Sequence, residues 1–562
     1  MKPIVRLEKM LKFIPLKFFR LRLLRFSGVH RRAAAAAAAL FLLSGCELTQ
    51  TLPDISMFEP TTNFGGATSD EPRAALVARD VLAAGGSAAD AAVALYFTLA
   101  VTYPSTASLG GGGLCLVYSP DKKNGDTTEV IEFNALAAET GSTVPRRPNA
   151  VPGTVRGMYA LQARYGRLPW SLLLAPAEAY ASLGHQVSRA LARDIRLAGP
   201  SLFTDSEMRK IFLHSDGSPI SEGQRVFQLE LGSVLSQLRI KGAGVFYGGS
   251  VAKALSTGAA QAEGALTIEE LRAFAPTWRD SVNLPFGNVV FHTAPPPAAG
   301  GLTAAAMFHL LAENDRYLDA AADERAHLFA EISKRAFADR QVWMDAEKFV
   351  ALDLSRLQSA MDSYNSDQAT APEKLSQLPK RRLENPAATS FVTIDRRGLT
   401  VSCAVTMNNL FGTGRMVPGT GILLAASPAA SGNTATSLSP IVLVNHNTSQ
   451  LLFAAGSVGG AAAPSALASV MRGALLDGLP LRDAMGASRL HHGGIPDIVF
   501  TEPDFGVVLR DSLSRRGHQV VKIPEIGRVN AVHCPGGAPR SPETCVFDTD
   551  RRGFGLASGG TL

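Results

Sequence analysis

Between residues 361 and 386 the apolar periodicity of this chain breaks down. Asp362-Ser363-Tyr364-Asn365-Ser366-Asp367 and Pro379-Lys380-Arg381-Arg382 are polar and structureless in composition, which predicts a loose linker. Before it, helical patterns dominate. Ala74, Ala75, Val77, Ala78, Val81 and Leu82 recur at helical spacing from Glu71 and stop at Gly85-Gly86. Residues 88–101 are apolar almost all round and predict a buried helix. Residues 155–195 and 322–345 also read as helical, the latter with a stripe of Ala326, Phe329, Ala330, Ile332, Ala336 and Phe337. After the linker come strands at Ser390–Ile394, Thr400–Thr406 and Ile441–Val444, then helices near 463–477 and 508–517. That order, with a further strand at Leu114–Tyr118, predicts sheet layers covered by helices. The 562 residues exceed one hydrophobic core, so a large two-part domain or two domains is expected.

The formal charge of +6 is misleading. Residues 1–45 hold ten Lys/Arg against one acid, Glu8, whereas the rest carries 45 basic and 48 acidic residues. A near-neutral mature surface gives no case for nucleic-acid binding. The basic N-terminus leads into an apolar run, Ala33 to Leu43, too short to span a bilayer, which ends in Leu43-Ser44-Gly45-Cys46. This resembles a bacterial lipobox, with Cys46 as the lipidated residue. An ordinary signal peptide, or a later start such as Met10, is the alternative. Glu47 after the cysteine points to the outer membrane, so the expected location is the cell envelope, lipid-anchored on its periplasmic face. Residues 46–70 read as a tether.

Cys115 and Cys403 lie in apolar, strand-like runs and read as buried thiols. Cys534 and Cys545 flank a Gly/Pro-rich turn, where an exported protein can close a hairpin disulfide. Zinc is the weaker reading there, because no CxxC or HxxxH spacing accompanies them. Gly110–Gly113 lacks the Gly-Lys-Ser/Thr ending of a phosphate-binding loop and reads as close backbone packing. No metal or cofactor is expected.

Several segments, in order, resemble the γ-glutamyltransferase (γ-glutamyltranspeptidase) family across nearly the whole mature chain. They are Ala84-Gly85-Gly86-Ser87-Ala88-Ala89-Asp90-Ala91-Ala92, Gly110–Gly113, Val151-Pro152-Gly153-Thr154, Arg164-Tyr165-Gly166-Arg167-Leu168-Pro169-Trp170, Pro295-Pro296-Pro297 with Gly300-Gly301, and Lys334-Arg335-Ala336-Phe337-Ala338-Asp339-Arg340. Asn408 to Gly414, Gly419–Leu424, Leu438-Ser439-Pro440 and Gly456–Gly460 follow. The resemblance implies an α+β chain with the four-layer αββα N-terminal-nucleophile (Ntn) hydrolase fold. It implies a large-subunit-like region at 71–360, a processing linker at 361–387 and a small-subunit-like region at 388–562. In that family the precursor cuts itself before a threonine, whose freed amine is the base for attack on a γ-glutamyl amide. Carried over, Thr406 is a supporting threonine, Gly459 and Gly460 are oxyanion glycines, Asn408 binds substrate, and Thr436 and Ser437 bind its carboxylate. His491-His492 also matches family sequence and reads as structural.

Three positions depart from the pattern. The family's Thr-Thr-His-x-Ser-Val-Val-Asp-x-x-Gly, anchored on Asp395 and Gly398, puts Ala388 where the nucleophile belongs. Thr389 is the candidate nucleophile only if the strand start shifts by one residue, which turns a side chain to the other face unless a bulge intervenes. Asn134 stands where the family has an arginine for the substrate α-carboxylate, and an amide offers no charged fork. After Gly421-Ile422-Leu423-Leu424 the expected acid is missing from Ala425-Ala426-Ser427-Pro428-Ala429-Ala430. The expectation is a family member anchored in the envelope and degenerate for γ-glutamyl transfer, with a γ-glutamyl or other amide as its small-molecule ligand. The alternatives are an active N-terminal-threonine γ-glutamyltransferase, glutathione hydrolase or related N-acyl amidase using Thr389.

Overall fold

The computed structural model describes residues 65–120, 125–139, 145–343, 349, 351–375, 387–428 and 437–559. Cys46 and Thr436 lie outside them. Thirteen strands build two sheets. In chain order they are β1 (Gly65–Ser69), β2 (Gly112–Ser119), β3 (Thr127–Glu132), β4 (Thr277–Asp280), β5 (Val282–Phe286), β6 (Val289–Thr293), β7 (Ala388–Asp395), β8 (Thr400–Thr406), β9 (Ser439–Asn445), β10 (Gln450–Val458), β11 (Arg528–Ala538), β12 (Val546–Thr549) and β13 (Leu556–Gly559). The first sheet has the order β13-β1-β7-β8-β2-β3-β4 and the second β12-β11-β10-β9-β6-β5. Every pairing in both is antiparallel.

Alternation along the strands makes three apolar layers. Leu114, Leu116, Val392, Ala404, Val442, Ala454 and Val532 fill the space between the sheets. Cys115, Val117, Phe391, Val401 and Cys403 turn to the other side of the first sheet, against α1 (Pro72–Ala83) and α2 (Ala88–Thr102). Phe291, Ile441, Phe453 and Ala531 turn from the second sheet towards α3 (Gly300–Ala312), α4 (Arg325–Trp343) and α5 (Ala463–Met471). The result is helix, sheet, sheet, helix.

Helix α2 is buried on every side, as its composition requires. Ser87 caps it, accepting from the Asp90 amide at 3.0 Å, and Asp90 accepts from the Ser87 amide at 2.9 Å. The same carboxylate accepts the amides of Arg167 and Leu168 at 2.8 and 3.1 Å, tying the loop before the Trp170 helix to α2.

Two expectations change. Cys115 and Cys403 are not free thiols but a disulfide, because β2 and β8 set them directly opposite each other. The polar stretch after Ala360 is not loose over its first half. The Thr370 amide donates to Glu331 at 3.1 Å, its carbonyl accepts from Lys334 at 2.5 Å, and its hydroxyl accepts from Arg335 at 2.9 Å. Buried charges on α4 need polar partners, and this segment supplies them. Residues 376–386 lie outside the described set. The sulfurs of Cys534 and Cys545 lie 2.00 Å apart, where β11 leads into β12. Among the described residues no helix is long and apolar enough to cross a membrane.

Candidate functional site

The strand β7 runs without a bulge from its first residue. Ala388 pairs with Thr406, Thr389 with Val405, and Ser390 with Ala404. Ala388 and Val392 belong to the layer between the sheets, and Ser390 Oγ reaches across it to the Gly456 carbonyl at 2.9 Å. Thr389 and Thr393 therefore face the helices. Thr393 Oγ1 donates to the Ala88 carbonyl at 2.8 Å, and Thr389 Oγ1 donates to Asp70 Oδ2 at 2.9 Å. Thr389 is completely buried.

Around Ala388 the retained groups converge. Thr406 Oγ1 donates to the Ala387 carbonyl at 3.1 Å and accepts the Asn408 amide at 2.9 Å. Asn408 sits at φ 61° and donates through Nδ2 to the Ala426 carbonyl at 2.8 Å. Gly112 pairs with Thr406, and a Cβ on Gly112 would lie 2.1 Å from the Ala135 nitrogen. Asn134 is thereby held at the same end of the sheet, and its Oδ1 is buried without a hydrogen-bond partner. Val458 joins Ala388 in the apolar layer, and β10 ends there. Gly459 and Gly460 follow at φ 131° and 61° and turn the chain into α5. A Cβ on Gly459 would come within 2.5 Å of the Gly527 Cα, so only glycine fits. Ser437 lies just ahead of β9, its carbonyl packed against Gly300. Ala425 and Ala426 are buried and carry no charge to the site.

Sequence reasoning missed a second group behind β7. Asp70 is held by Asn530 Nδ2 at 2.9 Å, which also donates to the Ser390 carbonyl at 2.9 Å. Arg528 Nη2 donates to the Ala388 carbonyl at 3.1 Å, and its Nη1 to the Tyr103 hydroxyl at 3.2 Å. Burial weakens the Arg528 charge, but the surrounding carboxylates of Asp70, Asp194 and Glu525 favour its charged form, and its pKa is raised. Burial in turn raises the Tyr103 pKa, so the phenol stays protonated. No local pattern marks these residues, since Asp70 and Asn530 meet across 460 positions.

His491 Nδ1 bonds Ser465 Oγ at 2.8 Å, and His492 Nε2 bonds Asp497 at 2.9 Å, so the pair is engaged in separate contacts. His327, Glu331 and His518 could together hold a metal ion by position, all three being buried. Glu331 is already paired with Arg335, however, and Lys334 lies close by, so the cluster is charge-balanced as it stands.

The two stacked sheets and the helical layers on either side of them define an N-terminal-nucleophile hydrolase fold. Cephalosporin acylase from Bacillus halodurans shares it, with a TM-score of 0.69 at 22% identity over 91% of this chain and 98% of that one. Residues 74–557 match the gamma-glutamyltranspeptidase family, and the chain belongs to that family. It is 30% identical to a glutathione hydrolase proenzyme of Pseudomonas aeruginosa over 78% of this chain and 85% of that protein. It is 28% identical to the acylase ACY 1 proenzyme of Pseudomonas sp. (strain V22) over 84% and 90%.

Proposed function

We propose that this chain is an envelope-anchored member of the family that binds a small amide ligand and does not carry out γ-glutamyl transfer. The observation that carries this reading is at β7. The inward position opposite Thr406 holds a methyl group, while the next hydroxyl along the strand, on Thr389, is turned to Asp70 on the other face. An alanine has no lone pair to attack a carbonyl, either in the precursor or in a substrate. The loss of charge at Asn134 and at Ala425–Ala426 points the same way, because a zwitterionic glutamyl group needs both charges answered. The unpaired Asn134 Oδ1 favours a ligand that brings an N–H donor to this end of the sheet. Lipidation at Cys46 would hold the protein at the periplasmic face of the outer membrane.

Intact mass of the purified protein tests the reading. A single chain that stays whole on long incubation, and releases no p-nitroaniline from γ-glutamyl-p-nitroanilide, is expected. Two fragments, with the smaller beginning at residue 388 or 389, would sink it.

One observation favours a second reading, self-cleavage at Ala388–Thr389. Asp70 accepts the Thr389 hydroxyl proton and Arg528 polarises the Ala388 carbonyl, so a base and an electrophilic donor flank that bond. A small fragment starting at Thr389, abolished in Asp70→Asn, would establish it in place of the first.

A further inference from the structure

Near the outermost strands of the two sheets, three hydrogen-bonded side chains lead to a neighbouring carboxylate. Ser281 is the single residue between β4 and β5. Its Oγ lies 2.9 Å from His292 Nδ1 on β6. His292 Nε2 lies 2.7 Å from His446 Nε2 in the β9–β10 hairpin. His446 Nδ1 lies 3.4 Å from Asp126 Oδ2, just ahead of β3, and the Tyr118 hydroxyl donates to the same oxygen at 3.0 Å.

The proton positions follow from the end of the line. The Asp126 carboxylate beside His446 Nδ1 favours the tautomer with its proton on Nδ1 and a lone pair on Nε2. His292 must then donate from Nε2, which leaves its Nδ1 bare towards Ser281. Burial, with His446 beside it, pushes His292 down to about 3 against the pull of Asp126, so its ring is neutral at pH 7. The Ser281 hydroxyl has two other acceptors, the Thr128 carbonyl at 3.0 Å and Asn283 Oδ1 at 3.3 Å, and His292 is the nearest of the three.

Ser281 also lines a cleft of about 780 Å³ with Trp278, Arg279, Asn283, Arg164 and Phe349. Arg164 is paired with Glu129 and Arg279 with Glu132, so the cleft makes no demand for an anion. Strands β4 and β5 are the outermost of their sheets, and one edge of each has no strand partner among the described residues. Such edges offer main-chain N–H groups to a developing oxyanion.

We propose that Ser281 is a nucleophile for neutral carboxylic esters, with His292 as its base and His446 and Asp126 as the relay behind it. The Ser281 oxygen bonds the ester carbonyl carbon, and its proton passes to His292 Nδ1 while the His292 Nε2 proton passes to His446. The positive charge thus settles on His446 beside Asp126, rather than on the buried ring. Return of the protons along the same line lets the C–O bond to the leaving group break, releasing the alcohol. Water then takes the acyl group by the same path, giving the acid and restoring Ser281. This site shares no residue with the one around Ala388.

A fluorophosphonate probe on the purified chain, followed by peptide mass mapping, tests the proposal. The expected adduct is on Ser281, absent in Ser281→Ala and formed at least about tenfold more slowly in His446→Ala. His446 is 36% exposed on a hairpin, so that variant should keep its thermal midpoint, which separates loss of the relay from misfolding. Hydrolysis of p-nitrophenyl acetate should fall in parallel. No adduct on Ser281 in the folded chain, or equal labelling rates in His446→Ala and the parent, would overturn it.

Discussion

On the proposed reading, Ala388 lacks the hydroxyl of a threonine nucleophile, while the groups around it are well ordered. Thr406 stands opposite, Asn408 is held by Thr406 and Ala426, and Gly459 and Gly460 turn the chain beyond Val458. Self-cleavage needs a hydroxyl at this point and not the charges that grip a glutamyl substrate. Ala388→Thr is therefore expected to restore cutting, seen by mass as a small fragment beginning at residue 388. The same variant should remain at least roughly 100-fold below a family enzyme on γ-glutamyl-p-nitroanilide, because a charged hydrogen bond is worth about 1.5–3 kcal/mol and Asn134, Ala425 and Ala426 bring no charge to the site. An uncut Ala388→Thr chain would show that the site has decayed beyond the nucleophile.

At the scale of elements, several motifs that resemble an enzyme family serve packing. Asp90 caps α2 and ties down the Arg167–Leu168 loop through one carboxylate. Asp90→Ala leaves buried amides unsatisfied and is expected to cost about 2–4 kcal/mol, read as a lower denaturant midpoint with an unchanged slope. The Cys115–Cys403 bridge joins β2 and β8 across 288 residues of chain. Replacing both by alanine should lower stability by roughly 2–5 kcal/mol, measured against the parent under oxidising conditions. Equal midpoints for the parent with and without reductant would argue against the bridge. The helices at Pro72–Ala83, Ala88–Thr102 and Val507–Arg515 were legible from spacing and caps. The single helix expected near 463–477 ends as an α-helix at Met471 and continues as a π-helical turn, Arg472–Leu476. The disulfide was not legible, because two cysteines in separate apolar strands carry no record of their register.

For the whole molecule, acid should be the weak side. Burial holds His185 and His518 at about 4, and His327 and His492 are also lowered. His518 faces His327, Glu331, His492 and Lys334, and the other histidines and the lysine further oppose its charge. A histidine whose folded pKa lies below the unfolded value of about 6.5 takes up its proton first in the unfolded chain. Stability is thus full above about pH 6.5 and falls as pH drops towards 4, by on the order of 3 kcal/mol for His518 alone. Thermal melts between pH 7 and 4 check this, and a flat midpoint over that range would contradict it. Anchoring belongs to the same scale. Cys46→Ser is expected to abolish labelling by radioactive palmitate and move the protein from the membrane to the soluble fraction.

From the sequence alone came the layered fold and the family, because these rest on short-range periodicity and on motif order. The alternation of a strand also makes 388 and 389 point to opposite faces once β7 is known to start without a bulge. Tertiary structure decided what each face meets. Asp70, Arg528 and Asn530 reach β7 from 140 or more positions away, and His446 meets His292 across 154 positions, with Asp126 beside it. Such partners are chosen by sheet register and stacking, which depend on contacts between distant segments and leave no local mark in the chain.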